Sequence, residues 1–166
     1  MFKRLLLFVT SCILAAGGVR AQDNPYQFSR LDIGSGISNN GINCIYKDSR
    51  GFMWFGTSSG LNRYDGYTFK VFKHSEDTTA LIDDDVTGIF EGPFGKLWIA
   101  TMGGLNIYDP AKDRFERDAD RQLKNMGIPD NYIWDIKKDR SGNFWFIHTS
   151  YGIYKYQKFK RRRAIY

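Results

Sequence analysis

Cysteine and histidine are nearly missing from this 166-residue chain, which has two of each. Cys12 falls in a leading apolar segment, and Cys44 stands alone in GINCIY. One thiol cannot close an internal disulfide, so the fold must be held by packing, and Cys44 reads as a small buried strand residue. His74 and His148 sit in different segments, and neither stands in a motif with Cys44 or a carboxylate. The spacing therefore argues neither for a nucleophile with its base nor for a structural metal. Phosphate loops and dinucleotide fingerprints are absent too. No run reaches 18 apolar residues, so the sequence predicts no membrane-spanning helix. No stretch sustains a 3.6-residue apolar period, which argues against a helical fold.

The excess of positive charge comes from the ends. The formal net charge is +6. Lys3, Arg4 and Arg20 lie at the start, and Lys155, Lys158, Lys160, Arg161, Arg162 and Arg163 follow Tyr154, so residues 22–154 carry −3. The overall basicity therefore says nothing about a basic binding face on the body, and KFKRRR reads as a solvated tail rather than a contact for nucleic acid or anionic lipid. MFKRLLLFVTSCILAAGGVRA opens with the basic pair Lys3-Arg4, followed by a short apolar stretch and by Val19 and Ala21 at the −3 and −1 positions of a cleavage site. That layout predicts a secretory signal peptide. Val9-Thr10-Ser11-Cys12 loosely imitates a lipoprotein signal, but Cys12 lies early for one.

What the chain has in quantity is aromatic area, with 13 Phe, 10 Tyr and 4 Trp, written into a repeat. GFMWFGTSSGLNRYDG (51–66) returns as GKLWIATMGGLNIYDP (95–110) and GNFWFIHTSYGIYKY (142–156). The copies align Gly51, Gly95 and Gly142; Trp54, Trp98 and Trp145; Gly60-Leu61, Gly104-Leu105 and Gly152-Ile153; and Tyr64, Tyr108 and Tyr156, with one residue inserted in the third. Upstream, Ile45, Ile89 and Ile136 match, as do Ile42, Val86 and Ile133, and Asn39-Asn40, Asp83-Asp84 and Asp130-Asn131. Each copy is a series of short runs rich in β-formers, jointed by Gly, Asp, Asn and Ser. Asp48-Ser49-Arg50-Gly51 predicts a type I turn closed by a glycine at positive φ. Asp65-Gly66 predicts a tight hairpin, and Asp109-Pro110 a longer one.

A four-stranded meander of this size cannot bury both faces alone, and stacking such units around an axis solves that problem. The expected fold is all-β: a partial β-propeller of about three four-stranded antiparallel blades plus a leading strand. The boundaries are a signal peptide over 1–21, leading strand and linker over 22–36, blade 1 over 37–80, blade 2 over 81–127, an incomplete blade 3 over 128–157 and a basic tail over 158–166. The repeated Trp and Tyr are expected to fill the spaces between blades. Closed propellers have four to eight blades, so three require further blades or another subunit to complete a ring.

The string ISNNGINCIYKDSRGFMWFGTSSGLNRYDGYTFKVFKH resembles the first repeat of the two component regulator propeller, and the likeness runs over about residues 25–156. The resemblance implies the N-terminal part of the periplasmic sensor of a hybrid two-component histidine kinase from polysaccharide-degrading Gram-negative bacteria. In that family two propellers precede a further β-domain, a membrane helix and kinase domains. An oligosaccharide ligand is implied, with no cofactor and no catalysis by this chain. The expectation is a truncated sensor rather than a small complete protein. Two departures stand out. Glu91-Gly92-Pro93-Phe94-Gly95 predicts an irregular hairpin, and Ile147-His148 replaces Gly-Thr.

The remaining chemistry is sparse. Asp83-Asp84-Asp85 is the one acidic cluster, and its alignment with Asn39-Asn40 and Asp130-Asn131 reads as an inter-blade Asx turn rather than a calcium site. Asp48-x-x-Gly51-x-x-Trp54 and Asp139-x-x-Gly142-x-x-Trp145 are similar to the Asp-box turn of sialidase propellers, one residue too long between Asp and Gly, and that turn is structural. No catalytic or metal-binding constellation emerges, and the ligand-contacting loops are not identified. Two other classes compete with the sensor reading: an exported oligomerising or scaffolding blade protein, and a propeller lyase or sialidase.

Overall fold

The computed structural model describes residues 26–157; the expected signal peptide and basic tail lie outside the described residues. Three antiparallel sheets follow one another along the chain. Blade 1 comprises β1 (Ile42–Lys47), β2 (Met53–Thr57), β3 (Gly60–Tyr64) and β4 (Phe69–Phe72). Blade 2 comprises β5 (Val86–Glu91), β6 (Leu97–Thr101), β7 (Gly104–Asp109) and β8 (Arg114–Glu116). Blade 3 has three strands among the described residues, β9 (Ile133–Lys138), β10 (Phe144–His148) and β11 (Gly152–Tyr156). Each sheet is a simple meander, paired in sequence order. Among the described residues no helix is long and apolar enough to cross a membrane.

Register explains the repeat. Successive side chains in a strand point to opposite faces. Met53 pairs with Tyr64, Leu97 with Tyr108 and Phe144 with Tyr156, which puts the Tyr column on one face of every blade. Trp54 pairs with Arg63, Trp98 with Ile107 and Trp145 with Lys155, which puts the Trp column on the other. The Trp face of one blade therefore meets the Tyr face of the next. Trp54 and Leu61 pack against Ile89, Leu97, Ile99, Tyr108 and Phe115. Trp98, Leu105 and Ile107 pack against Ile133, Ile136 and Phe146. The Trp54 and Tyr108 rings meet edge to face at 5.0 Å, the favoured offset geometry for aromatic pairs.

Arg63 ties the first interface together. Its guanidinium lies 4.9 Å from the Phe52 ring and 5.7 Å from the Trp54 ring, and it donates to Tyr108 Oη at 2.8 Å and Asp113 Oδ1 at 3.0 Å. A planar cation on aromatic faces keeps its attraction while it bridges polar groups. Small residues occupy the inner end of the same face. Cys44 pairs with Gly56, and Gly88 with Ala100. A Cβ on Gly56 would collide with Cys44 Sγ and with Val86, because the inner strands of neighbouring blades touch there.

The structure corrects the sequence reading at four places. Residues 26–32 have no regular secondary structure, and a short 3-10 turn, Ile33–Ser35, stands where the leading strand was expected. An extended segment becomes a strand only when an edge takes up its hydrogen bonds. An α-helix, α1 (Ala119–Asn125), links blades 2 and 3. Its signals were present: Asp118 caps it by accepting from the Arg121 amide, Ala119 and Leu123 turn inward one turn apart, and Gly127 follows the end at φ 79°. With only seven residues, α1 is too short for a sustained period. The Asp65-Gly66 hairpin is a four-residue loop, with Asp65 Oδ1 accepting from the Tyr67 and Thr68 amides. Finally, Trp145 is only half-buried and Ile153 is exposed, because the second face of blade 3 is uncovered among the described residues.

Candidate functional site

The two ends of the blades carry different repeated polar devices. At one end lie the β1–β2 turns and their equivalents, where Gly51, Gly95 and Gly142 have φ of 95°, 71° and 81°. Asp48 Oδ1 accepts from the Arg50 and Phe52 amides at 2.9 and 3.0 Å, and Oδ2 accepts from Trp54 Nε1 at 3.0 Å. Asp139 repeats the arrangement on the Ser141 and Asn143 amides and on Trp145 Nε1 at 3.0 Å. The carboxylate thus fixes both the turn and the tryptophan. Partial burial pushes Asp48 up, but the bonds from Trp54, the Phe52 and Arg50 amides and the Arg50 side chain hold it below the ordinary carboxylate value. Bonds from the Asn143 and Trp145 side chains hold Asp139 down at about 2.

Blade 2 breaks this pattern. Gly92 stands at the aspartate position, and the buried Trp98 Nε1 has no hydrogen-bond partner. The indole fills the space a side chain at residue 92 would need. Its turn is the irregular one expected, with Phe94 at φ 64° and exposed. Phe94, Pro93, Phe144 and Tyr156 line a hollow of about 400 Å³ between the turns of blades 2 and 3, beside the Glu91–Lys138 ion pair.

The other end holds the β2–β3 hairpins and the inter-blade loops. Asn39, Asp83 and Asp130 each accept the amide two residues on, from Gly41, Asp85 and Tyr132 at 2.8, 2.7 and 3.0 Å. The acidic triplet is therefore turn chemistry. Gly60, Gly104 and Gly152 close the hairpins at φ 124°, 129° and 86°, conformations that disfavour any side chain. Thr57 and Thr101 hold the two-residue hairpins by donating to the Gly60 and Gly104 carbonyls. His148 takes that place in the longer third hairpin, where its Nδ1 accepts from the Ser150 and Tyr151 amides at 3.0 and 3.2 Å. Nε2 then carries the hydrogen and donates to Asp130 Oδ1 at 2.7 Å. His148 is thus a structural substitute for threonine, and His74 is a loop residue whose amide bonds Asp84.

A second pairing escaped sequence reasoning. Asn62 Oδ1 accepts the Ser38 amide at 2.8 Å, and Asn106 Oδ1 accepts the Ile82 amide at 2.9 Å. In the third copy the acceptor position is Tyr154 and the donor position is Pro129, which has no amide hydrogen, so both partners change together. Asn62 also donates to Ser38 Oγ; Ile82 offers no such oxygen, and Asn106 Nδ2 is left without a partner.

Between blades 2 and 3 this end opens into a cleft of about 520 Å³. Its walls include Thr87, Thr101, Asp120, Asp130, Asn131 and Tyr132. Asp120 comes from α1, and its Oδ1 is buried without a hydrogen-bond partner. The Tyr132 amide and His148 hold the Asp130 carboxyl below the ordinary value, against a smaller opposing effect of burial. An ionised carboxylate accepts hydrogen bonds and does not supply protons, so Asp130 suits binding rather than general acid catalysis. Tyr132 presents an exposed ring at the cleft, and Tyr151, also exposed, lies 4.8 Å from the His148 ring. Among the described residues no group of three His, Cys, Asp or Glu side chains is placed to hold a metal ion.

The elements carrying these devices are the ones that match a known family. Residues 36–59, 80–103 and 127–149 each fit the two component regulator propeller. These segments are two component regulator propeller repeats. Each covers an inter-blade turn, an inner strand, the Asp turn or its glycine variant, and the second strand into its hairpin. The chain is 34% identical to histidine kinase P4 of Formosa agariphila over 64 residues, 38% of this chain and 5% of that protein. It superposes on the extracellular domain of a hybrid two component system from B. thetaiotaomicron with a TM-score of 0.55 at 24% identity, over 82% of this chain and 18% of that one. At this identity the likeness speaks for the fold alone. The extracellular domain of a one component system from the same organism gives 0.54 at 25% identity, over 75% and 18%. The chain thus spans less than a fifth of the length of each of these three relatives.

Proposed function

We propose that these blades are part of the extracytoplasmic sensor of a two-component system and bind an oligosaccharide at the cleft between blades 2 and 3. The observation that carries this reading is the cleft itself, in a chain built of regulator propeller repeats. Its acceptors Asp120, Asp130 and Asn131 and its hydroxyls Thr87 and Thr101 suit a polyhydroxylated ligand, and the Tyr132 ring offers an apolar face for stacking. The matched extracellular domains and the sequence layout of an export signal support a periplasmic location. Further blades would cover the outer faces. Ile45 is 59% exposed where its equivalents Ile89 and Ile136 are 7% and 4% exposed.

The test is calorimetric titration of the full chain with mixed oligosaccharides from hydrolysed plant and algal polysaccharides, beside a Tyr132→Ala variant. Saturable binding that weakens at least about tenfold in the variant is expected, the usual loss when a stacking ring is removed from a ligand site. Binding that is unchanged in the variant would move the site elsewhere.

A further inference from the structure

The charge around the cleft selects among sugars, an inference that rests on the oligosaccharide reading above. Two carboxylates line the cleft, Asp120 and Asp130, and no Lys or Arg does. A third, Asp83, packs against Gly103 of the cleft wall, its Cβ 2.8 Å from where a Gly103 Cβ would be. Asp130 is bonded to a histidine that accepts at Nδ1, and a ring accepting there is uncharged, so this pairing does not cancel the carboxylate. Asp120 Oδ1 is buried with no donor at all. A carboxylate with no donor and no cation beside it keeps the field at this wall negative.

The geometry points to a site for uncharged or amine-bearing oligosaccharides that excludes uronic and sulfated ones. A sugar hydroxyl or ammonium donates to the Asp130 carboxylate, whose side chain is partly exposed at the cleft. A carboxylated or sulfated ring brings a second anion to the same place, with nothing to neutralise it. Like-charge juxtaposition in a partly desolvated site is strongly unfavourable, and it is a common way of rejecting wrong partners.

The probes are neutral hexasaccharides of glucose, xylose, mannose and galactose, the glucosamine hexamer of chitosan, and hexauronates from pectin and alginate, each titrated into the full chain at low ionic strength. At least one neutral or amino hexamer is expected to bind, with both hexauronates at least about tenfold weaker. Asp120→Asn, which keeps the shape and loses the charge, should narrow that gap. Thr87→Lys, a surface change on the cleft wall, should narrow it further by raising hexauronate affinity. Glu76→Gln, a loop change of the same net charge outside the cleft, should leave it alone. Hexauronates binding as tightly as the neutral probes would overturn the charge inference while leaving the oligosaccharide reading intact. A gap that survives both cleft variants would overturn it as well. If no probe of any charge binds, the oligosaccharide reading falls and takes this inference with it.

Discussion

Replacing Asp48 with Ala should cost far more than the same change at Asp139, although the two carboxylates accept nearly the same hydrogen bonds. Asp48 takes the Arg50 and Phe52 amides and Trp54 Nε1, each at 2.9–3.0 Å. Trp54 is fully buried between blades 1 and 2, so its indole hydrogen cannot turn to water once the carboxylate is gone. An orphaned buried donor costs about 1–3 kcal/mol. The turn amides recover water and add about 0.5–1 kcal/mol. The Arg50 pair, on a partly exposed side chain, adds about 0–1 kcal/mol. The sum is about 1.5–5 kcal/mol. In urea, with a slope of about 2 kcal/mol/M for a domain of this size, the midpoint should fall by about 1–2.5 M. Trp145 is half-buried, so water can replace Asp139, and the midpoint of Asp139→Ala should move much less. Tryptophan fluorescence and far-ultraviolet circular dichroism would follow both transitions. Equal losses for the two variants would refute the argument, as would an Asp48→Ala change below about 1 kcal/mol, the floor for an unmet buried donor. Blade 2 shows that the fold survives one such orphan, since Trp98 has lost its carboxylate to Gly92.

Trp98→Ala should destabilise by about 3–5 kcal/mol, the range for a large buried aromatic, and leave glycan affinity unchanged; retained stability with lost binding would contradict the packing role. Asp48, Asp113 and Asp139 are all held below their unfolded values, so their stabilisation is complete above the ordinary aspartate value of 3.8 and declines as pH falls from there toward 2. Thermal midpoints measured from pH 6 down to pH 2 should drop in that window, and Asp139→Asn should flatten its lowest part. Burial pushes the Cys44 thiol up to about 11, so it should resist a thiol reagent at pH 8 until the chain is unfolded; rapid modification of the native protein would contradict this.

Much of the blade was legible because a strand writes its environment at period two. The Gly, Trp and Tyr columns gave strand order, turn positions and the face that meets each neighbour. Gly51, Gly60 and their equivalents were readable because positive φ leaves glycine little competition. The polar bonds were harder. Asp48 and Trp54 are six residues apart, but the copy with Gly92 hides the column, and the Asn62–Ser38 bond spans 24 residues. Helix α1 went unread because two inward residues, Ala119 and Leu123, make no detectable period.

The sequence alone determined the repeat, its antiparallel strands and the family to which those repeats belong, since these depend on local preferences repeated at a fixed interval. Tertiary structure decided which copy of each repeated residue is buried. Ile45, Ile89 and Ile136 are the same letter in the same place, yet only the latter two are covered, because coverage depends on the neighbouring blade. It also decided the cleft. Asp120 from α1 and Asp130 from the following loop acquire a common site only when blade 3 closes against blade 2.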